Sequence, residues 1–147
     1  MQEFIFSILI SYLLGSINPA YIIGKLRGID LRTKGDKNLG TKNTYYILGL
    51  IPAIIVFIID FMKGYLPFAI AQNKFLLPEI QVYIASFFVI LGHRYPFYLN
   101  FKGGKGVAAG IGIFVAALLS IKELNYGIYF LIILVLLEIF RKYIKKE

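Results

Sequence analysis

The chain has 147 residues, 59% of them hydrophobic, and a formal net charge of +8. A soluble domain sits nearer about 45–50% apolar, and with no cysteine and one histidine the chain excludes a disulfide framework, thiolate metal binding and a multi-histidine metal site within one chain. No metal and no cofactor is therefore expected, and the positive balance suits an anionic membrane surface or anionic ligands; no soluble basic stretch exists to present it to nucleic acid.

The apolar surplus lies in long runs, not in alternation or in a narrow helical stripe, and such runs read as spans of a bilayer. The first is Phe4–Gly24, holding Gly15 and Pro19. No basic region precedes it and no small-residue cleavage site follows, so it reads as a retained membrane helix, not a signal peptide. The second is Thr44–Phe61, with Leu66–Ala71 extending it past a kink at Pro67. The third is Ile80–Leu91, extended by Tyr95–Leu99. Val107–Ile121 and Tyr126–Phe140 are the fourth and fifth. These last two are short against the ~20 residues needed to cross, so they must recruit flanking residues or thin the bilayer.

All lysines and arginines except Lys63, Lys74 and Lys122 fall between spans one and two, between spans three and four, or after span five. Positive residues collect on the cytoplasmic side. The expectation is one all-α, polytopic integral membrane domain over residues 1–147, with about five spans, the N-terminus outside and the C-terminus cytoplasmic.

Two loops on the basic side carry the polar chemistry. The first, residues 28–43, holds Asn38 and Asn43 as amide donors and Gly35 and Gly40 as flexible backbone. It reads either as a polar half-site for an anionic, hydroxyl-bearing ligand or as a solvated loop that sets topology. The second holds Lys102-Gly103-Gly104-Lys105-Gly106. Glycines let backbone N–H groups turn toward a phosphate, and lysines supply charge. A nucleotide P-loop is excluded, because Leu99 stands at the first glycine position and Gly106 follows Lys105. The competing reading is a helix hinge in which Gly106 and Gly110 form a close-packing pair.

Three further residues are candidates. His93 is either an acid–base or orienting group or a polar residue at a helix end. No acid lies four residues after it, which excludes the dyad of soluble-donor acyltransferases. Asp60 and Lys63 are three apart, hence on one helix face. A lone charge at the bilayer centre costs roughly 2.5–3.5 kcal/mol on insertion scales, so the pair reads as a structural ion pair or as part of a polar site.

Several motifs recur together: Gly15-Ser16-Ile17 with Pro19, Gly28-Ile-Asp-Leu-Arg32, and Gly35, Asn38, Gly40 and Asn43. They continue with Asp60, Lys63, Gly64, Leu66 and Pro67, then Gly92-His93 with Pro96, and Phe101-Lys-Gly-Gly-Lys-Gly-Val-Ala108. In this order and spacing they resemble the acyl-phosphate:glycerol-3-phosphate acyltransferase (PlsY) family of bacterial membranes. The resemblance implies transfer of an acyl group from acyl phosphate to glycerol 3-phosphate, yielding lysophosphatidic acid for phospholipid synthesis at the bacterial inner membrane. It implies a phosphate and substrate site from Lys102, Gly103, Gly104, Lys105, Gly106, Asn38, Gly40, Asn43 and His93, supported by Asp60, Lys63 and Ser16. No catalytic protein base is assigned, because the substrate's own phosphate takes the proton. The partners implied are the two substrates and membrane lipids.

The chain departs from the family pattern in places. Asp36, Lys37, Thr41 and Lys42 stand where the family typically has serine, glycine, alanine and threonine, and Tyr46 stands for an arginine. The serine and arginine are expected phosphate ligands. A second reading is therefore a catalytically impaired relative that binds phosphorylated lipid precursors or partners a full-length enzyme. The family also continues through a third, serine-containing signature and about two more spans, so three readings stand open: a natural short form, a truncation, or a site that another chain completes.

Overall fold

A computed structural model describes residues 1–120 together with 132, 133, 135, 137 and 141. Its helices are α1 (Gln2–Ser16), α2 (Pro19–Leu26), α3 (Thr41–Leu48), α4 (Leu50–Asn73), α5 (Glu79–Arg94) and α6 (Val107–Ser120), with single 3₁₀ turns at Leu31–Thr33 and Phe97–Leu99. The described residues contain no strand, so the all-α expectation holds. The expected fifth span lies outside the described residues apart from isolated positions.

The first apolar run is one span in length and two helices in detail. Asn18 ends α1 and caps α2, its side-chain oxygen accepting from the Tyr21 N–H, with Pro19 at the first helical position. Together Gln2–Leu26 and, separately, Leu50–Asn73 are long and apolar enough to cross a membrane.

Two sequence expectations change. The second run does extend past Pro67 as expected, but it does not start as one helix at Thr44. It splits at Gly49, whose φ of 90° suits glycine alone, and α4 then continues through Pro67 to Asn73. Pro67 lacks only one N–H, and the buried neighbours hold the helix across that gap. Nor does Tyr95–Leu99 extend α5. Pro96 disfavours helical geometry at Tyr95, so α5 stops at Arg94 and the chain turns.

Helix contacts are made by backbone against backbone. A side chain on Gly15 would strike the backbone of Val89, and one on Gly92 would strike the Tyr12 carbonyl and Ser16 nitrogen, which joins α1 to α5. Gly64 likewise meets the Ala109 carbonyl and Gly112 meets that of Phe61, which joins α4 to α6. Small residues permit such approach where lipid supplies no hydrophobic drive. The hinge reading placed this role on Gly106 and Gly110. Gly110 has no described atom within reach of an added side chain, and Gly106 sits instead in a turn at φ 80°.

Ala20, Leu31, Leu39, Val56 and Leu99 form one core cluster, and Phe68, Ala71, Val82 and Ala116 a second. The outward faces remain apolar: Ile5, Leu9 and Leu13 on α1 and Ile51, Ile54 and Ile58 on α4 are exposed. An apolar patch of that extent is unusual on a monomer in water and suits hydrocarbon.

Candidate anion-binding site

The two polar loops meet. Asn38, Gly40 and Thr41 from the first, and Lys105, Gly106, Val107 and Ala108 from the second, line one cavity with Asp60 and His93. Its free volume is about 30 Å³, room for a small polar group such as a phosphate oxygen. Two roomier cavities, about 240 and 290 Å³, lie at the C-terminal end of α4 beside Gln72 and Ser120. No lysine or arginine lines them among the described residues.

Two helices begin at the small cavity. α3 starts behind Gly40, which supplies no side-chain cap, and α6 starts at Val107. First-turn N–H groups have no partner inside their own helix and carry the positive end of the helix dipole. With Lys105 beside them, they favour an anion.

The glycines of the second loop act differently from the simple cradle expected. The Gly103 N–H donates to the Arg94 carbonyl at 2.9 Å and the Gly104 N–H to the His93 carbonyl at 3.1 Å. Both amides therefore pin the loop onto the end of α5 and do not point at a ligand. A side chain at Gly103 would strike the His93 carbonyl, and one at Gly104 would strike His93 Nε2 and the Leu39 carbonyl. These glycines are required by proximity. Lys102 is exposed and outside the cavity lining; Lys105 lines it.

Asn43 also plays an internal part. Its Nδ2 lies 3.1, 3.0 and 3.1 Å from the carbonyls of Leu31, Lys34 and Asn38, and its Oδ1 accepts from the Asp36 N–H. The side chain is buried and absent from the cavity lining. It ties the first loop into shape, and Gly35, at φ 56°, leaves room for its oxygen. The Asp36 carboxylate turns back to accept the Asn38 N–H at 3.0 Å. Lys42 lies over the Tyr46 ring, 5.7 Å from its centroid. Nearer α2, Arg32 forks onto Asp30, with Nη2 2.7 Å from Oδ2. That hydrogen-bonded guanidinium holds the Asp30 carboxyl down at about 2 and raises the arginine in turn.

The charged pair of α4 is buried. Lys63 Nζ lies 2.8 Å from Asp60 Oδ1 and donates to the Ile17 carbonyl at 2.7 Å, which staples α4 to the break between α1 and α2. His93 Nδ1 is 3.5 Å from the same carboxylate oxygen. Ser16, at the end of α1, donates to the Tyr12 carbonyl and does not reach the cavity lining. Thr41, Val107 and Ala108 figure in the sequence only as motif or departure positions, not as site residues. Only the start of an apolar run after Gly106, and the Gly40-Thr41 step, hinted at helix N-termini there.

Comparison with known proteins gives a consistent result. The family model described as "Glycerol-3-phosphate acyltransferase" matches residues 5–145. Proteins of that name from Desulfotalea psychrophila and Shouchella clausii are each 42% identical, over 133 and 141 residues, covering 87% and 94% of this chain and 66% of each relative. The Aquifex aeolicus protein is 37% identical over 125 residues, 85% of this chain and 65% of its own length. A solved structure described as PlsY (YgiH), an integral membrane glycerol 3-phosphate acyltransferase in its glycerol 3-phosphate form, aligns with a TM-score of 0.80 at 36% identity, over 93% of this chain and 65% of that one. Its lysophosphatidic acid form aligns with a TM-score of 0.76. The chain thus spans just under two thirds of the length of the curated relatives it matches.

Proposed function

Because the chain belongs to the glycerol-3-phosphate acyltransferase family, we propose that it transfers an acyl group from acyl phosphate to a hydroxyl of glycerol 3-phosphate, making lysophosphatidic acid. The observation that carries this reading is the convergence of Lys105 and the starts of α3 and α6 on one cavity. Two backbone termini and one ammonium are a fitting receptor for a phosphate.

The reaction asks little else of the protein. The attacking hydroxyl oxygen bonds to the acyl carbon, the carbon–oxygen bond to phosphate breaks, and inorganic phosphate leaves. The hydroxyl proton passes to a phosphate oxygen of the substrate. A good leaving group needs no protein nucleophile, so holding the two reactants in register and stabilising developing negative charge suffice. The acyl chain stays in lipid beside the apolar outer faces. By the distribution of basic residues, both polar loops face the cytoplasm, and the membrane is the bacterial inner membrane.

The test is acyl-phosphate-dependent formation of lysophosphatidic acid by membranes carrying the protein. Lys105→Ala removes a charged hydrogen-bond donor worth about 1.5–3 kcal/mol and is expected to raise the KM for glycerol 3-phosphate about tenfold to a hundredfold. Folded, inserted protein that gives no product above background overturns the assignment. Retained binding of glycerol 3-phosphate without product would identify the non-catalytic relative instead.

A further inference from the structure

The segment between α5 and the Lys105 loop has no part in the chemistry above, and none of its residues lines the small cavity. Within residues 95–101, Pro96 and Leu99 are buried, whereas the rings of Tyr95, Phe97, Tyr98 and Phe101 are between 43% and 59% exposed. Leaving such rings in water forgoes favourable burial, yet a stiff frame holds them outward. The Tyr98 hydroxyl accepts from the Asn18 N–H and donates to the Ser16 carbonyl, both at 3.0 Å. The Tyr12 hydroxyl donates to the Tyr95 carbonyl at 2.9 Å. Asn100 and Phe101 stand at φ 53° and 58°, a region that a bulky residue keeps only where its surroundings enforce it.

The frame also fixes the level of these rings. Ser16 and Asn18 lie within Gln2–Leu26, which is long and apolar enough to cross a membrane, so the platform is fastened beside the second half of that span. Lipid is the neighbour expected at such a level. Cations border the rings. Lys25 and Arg32 lie 5.7 and 5.0 Å from the centroid of the Tyr21 ring. Tyr21 meets Tyr98 edge-on at 6.4 Å, and Tyr98 meets Phe97 at 5.6 Å. On the other flank Arg94 lies 5.6 Å from the Tyr95 centroid, and exposed Lys102 follows Phe101. The surface therefore grades from charge through tyrosine to phenylalanine without a break. Asp30, shared by Arg32 and Lys25, offsets only part of the charge.

We propose that residues 95–101, together with Tyr21, Lys25 and Arg32, form a docking surface for an anionic phospholipid. Phe97 and Phe101 meet the top of the acyl chains, the tyrosines sit at the level of the ester groups, and the cations face the lipid phosphate. Aromatic side chains with a polar edge concentrate at that depth, and basic side chains beside it draw anionic lipid. The Gly103 and Gly104 amides tie the following loop to the end of α5, so a lipid seated here borders the segment that carries Lys105 without entering its cavity.

The chain contains no tryptophan, so Phe97→Trp creates a single fluorescent reporter at an exposed ring position. The full chain carrying it is reconstituted in vesicles of equal parts phosphatidylcholine and phosphatidylglycerol, with bromine near the top of the acyl chains of one lipid or of the other. Quenching by each bromolipid is compared with quenching by neutral acrylamide in the water. Bromolipid is expected to quench and acrylamide to quench weakly. The apparent affinity for brominated phosphatidylglycerol is expected to exceed that for brominated phosphatidylcholine about fivefold, the factor that one basic residue beside an anionic surface supplies. Lys25→Gln in the same background should reduce that preference, and so should high salt. Phe101→Trp carries the test if Phe97→Trp does not fold. Strong acrylamide quenching without bromolipid quenching places the rings in water and overturns the proposal. Quenching by neither shows protein over the rings, a second copy or another partner, and overturns it as well. Equal quenching by the two lipids overturns the anionic preference and the proposal with it. Formation of lysophosphatidic acid is measured separately, so the acyltransferase reading stands or falls on its own.

Discussion

Gly104→Ala should disable the site without removing any charge. The added methyl would be driven into His93 Nε2 and the Leu39 carbonyl, roughly 1 Å or more inside ordinary contact distance. The carbonyl cannot step aside, because Leu39 is fully buried in the core between α2 and α4. The loop must move, and its retreat strains the Gly104 bond to His93 and shifts Lys105. Overpacking of this kind costs about 1–3 kcal/mol. If that cost falls on the bound arrangement, it corresponds to about 5- to 150-fold weaker glycerol 3-phosphate binding at 1.4 kcal/mol per decade. The assay pairs KM for glycerol 3-phosphate with thermal unfolding in detergent. Gly110→Ala is the matched control: no described atom lies near its added methyl, and replacing a mid-helix glycine should be neutral or stabilise by about 0.5–1 kcal/mol. Binding by Gly104→Ala within twofold of wild type, with an unchanged melting temperature, would refute the view that proximity fixes this glycine.

Other perturbations separate scaffold from site. Lys63→Met leaves the Asp60 carboxylate buried without its ammonium partner and frees the Ile17 carbonyl; a loss of about 3–5 kcal/mol is expected, seen as a lower unfolding midpoint at every pH near neutrality. Asn43→Ala strands several buried partners in the first loop, each worth about 1–3 kcal/mol when left unsatisfied. It should lower stability and, by loosening Asn38 and Thr41, weaken ligand binding as well. For Asp30 the sign follows from its lowered carboxyl. The folded value of about 2 lies below the ordinary 3.8, so its contribution is fully present above pH ~4 and drains away as pH falls toward 2. Acid unfolding of Asp30→Asn should lack that step, and an identical acid profile would show that the Arg32 fork contributes nothing.

Much of the architecture was legible because hydrophobic runs report burial directly. The runs at 4–24 and 80–91 and the start at Val107 all reappear as helices. What failed was punctuation. The positive φ of Gly49 depends on its neighbours, so the break that starts α4 there was missed and the start of the second helix was misplaced. The candidate site was legible as composition, since lysines, glycines and asparagines in two loops signalled an anion. Its wiring was not. Whether Gly104 offers its N–H to a ligand or to the His93 carbonyl depends on a bond between segments that local spacing does not encode. Nor does spacing show that Asp60, 33 positions before His93, lies beside its ring. Asn43 misled for a related reason: an amide suited to hold a ligand suits three backbone carbonyls equally well.

The contacts of Gly64 with Ala109 and of Phe61 with Gly112 bear on how the cavity behaves in membranes of different thickness. Bilayers accommodate spans of unequal length largely by tilting them. Helices separated by long side chains can tilt independently, because those side chains change rotamer. Here main chain rests on main chain at two successive levels, with no adjustable layer between. α4 and α6 must lean together as a single plank. Asp60 on one and the opening N–H groups of the other then keep their separation while the lipid around them thickens or thins, and the small polar cavity is insulated from the mechanical state of the bilayer that holds it.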